Sequence, residues 1–495
     1  MSENAQAQGF PLTKTEYGIY VDYVNNPKST AYNIPLFSAL DKSTDVQRLK
    51  KAVEAAFDNH PYLKIRLYAD ENGEICKSIC DEPAQVEVKE MSDSEFNKYD
   101  YIRPFDLMNE RLYRCCIFRL DSAVVLFYDI HHIIFDGYSS QVFMADIDKA
   151  YNGEPIEPEL YTGNDVSTEE AARLLTPELD EAKAYYSSVF GGLELDSLPL
   201  NDKNDGEPVA KKFRYDFDSF DAEDIKKFAH AHGIKTSTFF DGVFGFVLSK
   251  FSGAEESLFS TVFNGRNKKL IHTCGMFVKT MPVYCDTKKN DTIADYLKSL
   301  DTQLDNNRKY DLYSYADICA DLQINPKVLF SYQGDMMQKI NFCGGEVIMD
   351  LVPSSDAKEN ILLEINRLHG KFLATVEYRT DLYTEESMRV LARCYEKTVT
   401  EFLSKQSLRE IDITDNELLS LLDSFNNTEK EYEKTDIVTL FRRQAERNSD
   451  NTAVVHLDKS YTYKEVDEIT ERIGAYISSL GIGREDVVSV LIPRC

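Results

Sequence analysis

Residues 129–139 read Asp129-Ile130-His131-His132-Ile133-Ile134-Phe135-Asp136-Gly137-Tyr138-Ser139. The apolar run from Ala123 to Tyr128 comes directly before them and predicts a buried strand. The pattern of Ser140 to Tyr151, directly after them, predicts a helix. Two imidazoles, a carboxylate and a glycine therefore meet where a strand passes through a loop into a helix. A rigid strand end of this kind can aim a side chain into a cleft.

These residue types permit proton-transfer chemistry. A neutral imidazole can accept a proton near pH 7, because its unperturbed pKa is about 6.5. Taken alone, however, a His-His pair beside an apolar strand is equally well explained by one buried, hydrogen-bonded histidine and one exposed histidine. A zinc site is disfavoured because the sequence lacks CxxC and HExxH spacings, so we predict no metal.

Composition excludes several classes of function. Acidic residues outnumber basic ones by 84 to 56 in the 495-residue chain, and the net charge of −28 disfavours binding to nucleic acid or to anionic membranes. The first eight residues are polar, and no apolar run reaches the ~18 residues of a membrane span. The ten cysteines are scattered, which is typical of reduced thiols. We therefore expect a cytoplasmic protein.

The complete pattern HHxxxDG at residues 131–137 resembles the signature of condensation domains of nonribosomal peptide synthetases. These domains are relatives of chloramphenicol acetyltransferase, which carries a shorter HxxxDG. Looser similarity to other motifs of the family lies at residues 10–20, 59–67, 102–107, 274–283 and 325–333. The sequence departs from the family pattern at Gly18, Lys279 and Asn307.

A second resemblance begins after a polar stretch near residue 430. Residues 461–466, Tyr-Thr-Tyr-Lys-Glu-Val, are similar to an early motif of adenylation domains. The sequence ends at Cys495, before the glycine-rich phosphate loop of that family. We therefore expect the remainder of an adenylation domain to follow in a longer synthetase, and we expect this fragment alone not to adenylate a substrate.

The resemblance implies an α/β fold built from α+β two-layer sandwiches. Two chloramphenicol acetyltransferase-like lobes would form a V with a tunnel between them, followed by a small partial α/β adenylation fragment. The expected divisions are an N-terminal lobe at 1–175, a C-terminal lobe at 176–425, a linker at 426–436 and the adenylation fragment at 437–495.

The activity implied by the resemblance is amide formation in the biosynthesis of secondary metabolites such as antibiotics. The α-amine of a carrier-bound aminoacyl acceptor attacks a carrier-bound acyl or peptidyl thioester. No cofactor is bound directly, because phosphopantetheine arms of donor and acceptor carrier proteins bring both substrates. Two alternatives stay open. The first is a starter-type N-acyltransferase that uses acyl-CoA or a fatty acyl carrier, since the domain begins within about ten residues of Met1. The second is a catalytically silent module that docks carrier proteins.

The resemblance also assigns roles in the signature. His132 is the expected catalytic side chain, as a general base or as a group that holds the amine. His131 would be buried and would position the loop. Asp136 would face away from the cleft and pair with Lys64 or Arg66, although both cations could instead be solvated strand charges.

The remaining candidates concern the substrate channel. The backbone N–H of Gly137, or simply its lack of a side chain, is expected near the thioester oxygen. Four polar side chains are candidates for the channel wall, namely Ser139, Lys279, Ser331 and Gln333. Ser139 could equally cap the helix. Ser331 and Gln333 could equally belong to ordinary strand pairing.

Overall fold

The chain divides into two units, Met1–Asn416 and Glu417–Cys495. The computed structural model describes residues 9–195, 197–334, 340–347, 350–351, 358–368 and 370–492. Within these residues, no helix is long and apolar enough to cross a membrane.

The described strands are β1 (Phe10–Pro11), β2 (Asn33–Asp41), β3 (Ile65–Ala69), β4 (Ile75–Ile79), β5 (Glu87–Glu90), β6 (Tyr113–Arg119), β7 (Ala123–His131), β8 (Ala210–Asp216), β9 (Glu256–Phe263), β10 (Lys279–Asp286), β11 (Val328–Gly334), β12 (Ile340–Phe342), β13 (Gly345–Val347), β14 (Asp350–Leu351), β15 (Ile361–Leu368), β16 (Lys371–Arg379), β17 (Thr452–His456) and β18 (Lys459–Thr462). The described α-helices are α1 (Lys14–Asn25), α2 (Val46–Asn59), α3 (Gly137–Asn152), α4 (Gly163–Arg173), α5 (Glu178–Phe190), α6 (Ala222–His232), α7 (Thr236–Phe251), α8 (Ile293–Lys309), α9 (Tyr315–Leu322), α10 (Glu385–Ser404), α11 (Asn416–Asn426), α12 (Ile437–Arg447) and α13 (Tyr463–Ser479).

The first lobe is built on a five-stranded sheet of order β14-β2-β7-β6-β5. Strand β7 reads as a nearly continuous apolar run because both of its faces are covered. Leu126 and Tyr128 point into the main core of the lobe, whereas Val125 and Phe127 belong to a smaller aromatic cluster on the other face. Helices α2 and α3 pack side by side, and their apolar faces form part of that main core.

The second lobe is built on a six-stranded sheet of order β10-β9-β11-β15-β16-β8. Helix α7 packs between α10 and this sheet, so nearly all of its side chains are buried, as its wide apolar stripe requires. The two lobes together confirm the predicted α/β fold.

Segments from the second half of the chain complete the first lobe. Cys274, Phe342 and Val347 lie in the main core of the first lobe. Strand β14 also pairs with β2, with Asp350 opposite Phe37. The two lobes are therefore interlocked by crossing segments rather than joined only in series.

The strand and helix around the signature are longer than the sequence pattern predicts. The strand continues to His131 because residues 129–131 keep their ladder with β2, which places Asn33 opposite His131. The helix begins at Gly137 rather than at Ser140, because the side chain of Asp136 caps it by accepting from the N–H of Ser139.

The second unit contains α12, the antiparallel β17-β18 pair and α13. The side chain of Thr462 caps α13 and forms a capping box with Glu465. Apolar residues of this unit, among them Ile473 and Tyr476 on α13, are exposed.

Candidate active site

A cavity of about 720 Å³ lies between the two lobes of the first unit. Strand β7 ends at this cavity, and both His131 and His132 belong to the cavity wall. Other residues of the wall are Tyr17 and Tyr32 near the first lobe and Met276, Lys279 and Tyr313 from the second half of the chain. The histidine pair therefore faces a space that both lobes enclose.

His132 is half-buried and held by the backbone. Its N–H donates to the carbonyl of Tyr32 at 2.8 Å, and its ring lies edge-on to the Tyr32 ring at 6.4 Å. Its Nδ1 is buried, which leaves Nε2 as the nitrogen available to a substrate. Burial, together with the Lys358 ammonium, lowers the pKa of His132 to about 4. The ring is therefore neutral near pH 7 and can accept a proton.

His131 is more deeply placed, with 4% of its surface exposed. Its Nδ1 accepts a hydrogen bond from the N–H of Ile133 at 3.2 Å, and its ring lies edge-on to Phe105 at 5.6 Å. Burial lowers its pKa to about 3, so this imidazole is also neutral. These contacts fix the turn that presents His132.

Asp136 lies behind the loop and is fully buried. Its carboxylate caps α3 by accepting from the N–H of Ser139 at 2.8 Å, and the Ser139 hydroxyl oxygen lies equally close to it. It also accepts from the N–H of Phe277 at 3.1 Å and from the Arg266 guanidinium at 2.8 Å. The carboxylate therefore ties the signature loop to the segment that leads into β10.

The prediction that Asp136 pairs with Lys64 or Arg66 is wrong. Lys64 ends a short 3₁₀ helix and pairs with Asp58 at 2.9 Å, and Arg66 on β3 lies 3.7 Å from Glu82. Arg266 takes their place, with a side chain that is only 3% exposed. It lies 130 residues beyond Asp136 in sequence, so only the fold brings the two charges together.

Ser139 does not line the channel, contrary to one of the predicted roles. It is fully buried, and its single hydroxyl proton can go to the carbonyl of Gly275 at 2.9 Å or to the Asp136 carboxylate at 2.8 Å. The helix cap is Asp136, so the capping role predicted for Ser139 is wrong as well. Gly137 is exposed in the first turn of α3 and is not among the described residues of the cavity wall. Its contact with a thioester oxygen stays a prediction.

Of the other channel candidates, only Lys279 lies in the cavity wall. Its ammonium pairs with Asp311 at 2.8 Å, so its charge is already compensated. Ser331 and Gln333 lie on β11, where the Gln333 amide donates to Ser331 Oγ at 2.8 Å and to Glu364 on β15 at 3.3 Å. Among the described residues these two side chains belong to the sheet rather than to the cavity wall, as the strand-pairing interpretation requires.

Two further residues of the site, Lys358 and Glu359, have no recognisable signal in the sequence. The Lys358 ammonium lies 4.2 Å from the centre of the Tyr32 ring, on the cavity wall. Although the residue as a whole is exposed, desolvation of its ammonium lowers the pKa to about 8. Burial also raises the pKa of its neighbour Glu359 to about 7. Neither residue falls in a motif, since both reach the site from the far half of the chain.

One known protein family matches most of this chain. A model of the condensation domain family matches residues 6–418. The chain belongs to the condensation domain family. The condensation domain is an amide-forming, acyl-transferring unit of nonribosomal peptide synthetases. A model of the AMP-binding enzyme family matches residues 441–495, which confirms the predicted adenylation-like start.

Curated relatives include bacitracin and surfactin synthases. Bacitracin synthase 2 of Bacillus licheniformis is 24% identical over 510 aligned residues that cover 98% of this chain and 19% of the relative. Surfactin synthase subunit 2 of Bacillus subtilis (strain 168) is 26% identical over 97% of this chain and 14% of the relative. The chain thus spans a fifth or less of the length of these relatives.

Solved structures share the fold. A four-domain nonribosomal peptide synthetase in its holo form, bound to AMP and glycine, aligns over 97% of this chain and 40% of its own with a TM-score of 0.77 at 17% identity. The starter condensation domain of rhizomide synthetase aligns over 83% of this chain and 100% of its own with a TM-score of 0.70 at 13% identity. Identities this low support the two-lobed fold and nothing finer.

Proposed function

We propose that this chain joins a carrier-bound acyl or peptidyl thioester to the α-amine of a carrier-bound aminoacyl acceptor. The main support for the proposal is the neutral imidazole of His132. It lies directly after the end of β7, on the wall of a cavity between the two lobes. In this proposal Nε2 of His132 takes the proton of the attacking amine, or holds the amine while the amide forms and the thiol leaves.

The cavity contributes by holding both reactants. Bringing an amine and a thioester into one enclosed space replaces an encounter in solution and can supply several kcal/mol of the barrier, on the order of 7 or more when the alignment is good. The volume of about 720 Å³ is large enough for two tethered ends to meet.

The groups behind the loop act by positioning. His131 accepts a hydrogen bond from the N–H of Ile133, and Asp136 accepts one from the Arg266 guanidinium. Both contacts hold the backbone of His132, so that the ring keeps its direction when substrate enters. Neither His131 nor Asp136 needs to touch substrate in this scheme.

Carrier proteins are the proposed partners on the donor and acceptor sides. Their phosphopantetheine arms would bring the substrates, and no directly bound cofactor is needed. The adenylation-like unit at residues 441–495 supports a further partner, the remainder of an adenylation domain in a full-length synthetase. Residues 1–175 and 176–425 are the proposed lobes of the condensation domain, with a linker at 426–436.

The test is a product analysis on the full chain. It is incubated with a loaded donor carrier and a loaded acceptor carrier, and separately with an acyl-CoA and the same acceptor carrier. Products are then weighed by intact-protein mass spectrometry. Amide product in the first mixture supports the proposal. Product only in the second mixture would identify a starter-type N-acyltransferase instead, and product in neither would leave a docking module.

A further inference from the structure

A buried cluster outside the cavity brings together three side chains that bind transition metals. His60 lies at the end of α2, Glu159 in the segment between α3 and α4, and Cys274 in the segment between β9 and β10. One ligand atom from each, an imidazole nitrogen, a carboxylate oxygen and a thiol sulfur, lies within 4.8 Å of the other two. The side chains of His60 and Glu159 are both 0% exposed, and Cys274 is fully buried.

Each ring nitrogen of His60 contacts a carboxylate. Its Nδ1 faces Glu159 at 2.5 Å, and its Nε2 lies 2.9 Å from the Asp146 carboxylate on α3. In metal sites the ligating histidine commonly donates its other ring N–H to a carboxylate, which orients the ring and strengthens it as a ligand. Asp146 occupies that supporting position here.

Glu159 supplies an independent sign that the cluster takes a ligand. Its Oε2 accepts from the N–H of Cys274 at 2.9 Å and contacts His60. Its other oxygen, Oε1, is buried and has no hydrogen-bond partner within the described residues. An unsatisfied buried carboxylate oxygen is costly, so a group that satisfies it is expected.

We propose that His60, Glu159 and Cys274 form a binding site for a divalent transition-metal ion of the zinc type, with Asp146 supporting His60. One nitrogen, one oxygen and one sulfur ligand would suit Zn²⁺. A metal there would connect the end of α2 to the segment that carries Gly275 and Phe277, whose backbone holds Ser139 and Asp136.

This site is independent of the proposed amide chemistry, so it is tested without an activity assay. The full chain is stripped with a chelator and titrated with CoCl₂ while the near-ultraviolet thiolate-to-cobalt charge-transfer band is recorded. The expected result is one Co²⁺ per chain with that band, displaced by ZnCl₂. Cys274→Ser should lose the band. Cys319→Ser, which changes a half-buried cysteine on α9 away from the cluster, should keep it.

A second variant covers the possibility that Cys274→Ser fails to fold. Asp146→Asn keeps every proposed ligand and should weaken Co²⁺ binding by about 10–100-fold, the usual effect of removing a carboxylate that supports a ligating histidine. Circular dichroism checks that both variants are folded. The absence of stoichiometric binding, a band that survives in folded Cys274→Ser, or unchanged affinity in Asp146→Asn would each overturn the site.

Discussion

Replacement of Arg266 by methionine is expected to destabilise the first lobe strongly. The Asp136 carboxylate is fully buried, and the Arg266 guanidinium is its only ion-pair partner among the described residues. The same guanidinium donates to the carbonyl groups of Leu270 and Thr273 at 2.7 and 2.6 Å. Breaking a buried pair from one side leaves an uncompensated charge and costs about 3–5 kcal/mol. At about 1.4 kcal/mol per factor of ten, this corresponds to about 10²–10⁴ in the local opening equilibrium.

Hydrogen–deuterium exchange followed by mass spectrometry measures this effect locally, which matters because the chain has two units. Amides of β7 and α3 should exchange faster by that factor in Arg266→Met. The double variant Asp136→Asn/Arg266→Met should recover part of the loss, because it removes both charges. Arg409→Met is the matched control, since its pair with Asp291 is 85% and 78% exposed. Unchanged exchange in Arg266→Met would refute the assignment of Arg266 as the partner of Asp136.

Two further predictions concern pH and the backbone. Burial and the Lys358 ammonium lower the pKa of His132 to about 4, so its basic form, and with it amide formation, is lost as the pH falls through about 4. Lys358→Met removes one cause of the lowered pKa of His132. The acid limb of the pH–rate profile should therefore move to higher pH. A limb that does not move would contradict the role of Lys358. Gly265→Ala should destabilise the first unit in urea unfolding, because the added methyl group meets the backbone carbonyl of Phe277. Gly18 lies on α1 with open space around it, so Gly18→Ala should instead stabilise the first unit by about 0.5–1 kcal/mol. Equal effects of the two substitutions on stability would refute this packing argument.

Local sequence patterns predict those parts of the site that are contiguous in the chain. Residues 131–137 contain the histidines, the carboxylate and the start of the helix in one window. The apolar run before them predicts the buried strand, which is covered on both faces. The family resemblance extended this window to a two-lobed α/β fold, which the family match at residues 6–418 confirms.

Partners that come from distant segments could not be predicted in this way. Lys64 and Arg66 are close to the expected motif position, but Lys64 pairs with Asp58 and Arg66 with Glu82 rather than with Asp136. Arg266 and Lys358 reach the site only because the second half of the chain crosses onto the first lobe. Their sequence context shows neither helix nor strand periodicity that would mark them as part of a site.

The same limit explains the wrong assignment of Ser139. Its position three residues after Asp136 fits both a capping residue and a channel residue. The choice depends on Gly275, which lies 136 residues away and whose N–H donates to the Ser139 hydroxyl oxygen at 3.0 Å. Spacing rules would not detect the proposed metal site for the same reason, because His60, Glu159 and Cys274 belong to three separate segments.

The most direct test of the central claim is the single-turnover rate of amide formation in His132→Ala. The full chain is mixed with loaded donor and acceptor carriers, quenched over time and analysed by intact-protein mass spectrometry, with His456→Ala in the second unit as control and circular dichroism as a check on folding. We expect a folded His132→Ala protein whose rate is lower by ~10²-fold or more, and a control rate equal to that of the unmodified chain. An undiminished rate in folded His132→Ala would contradict the account.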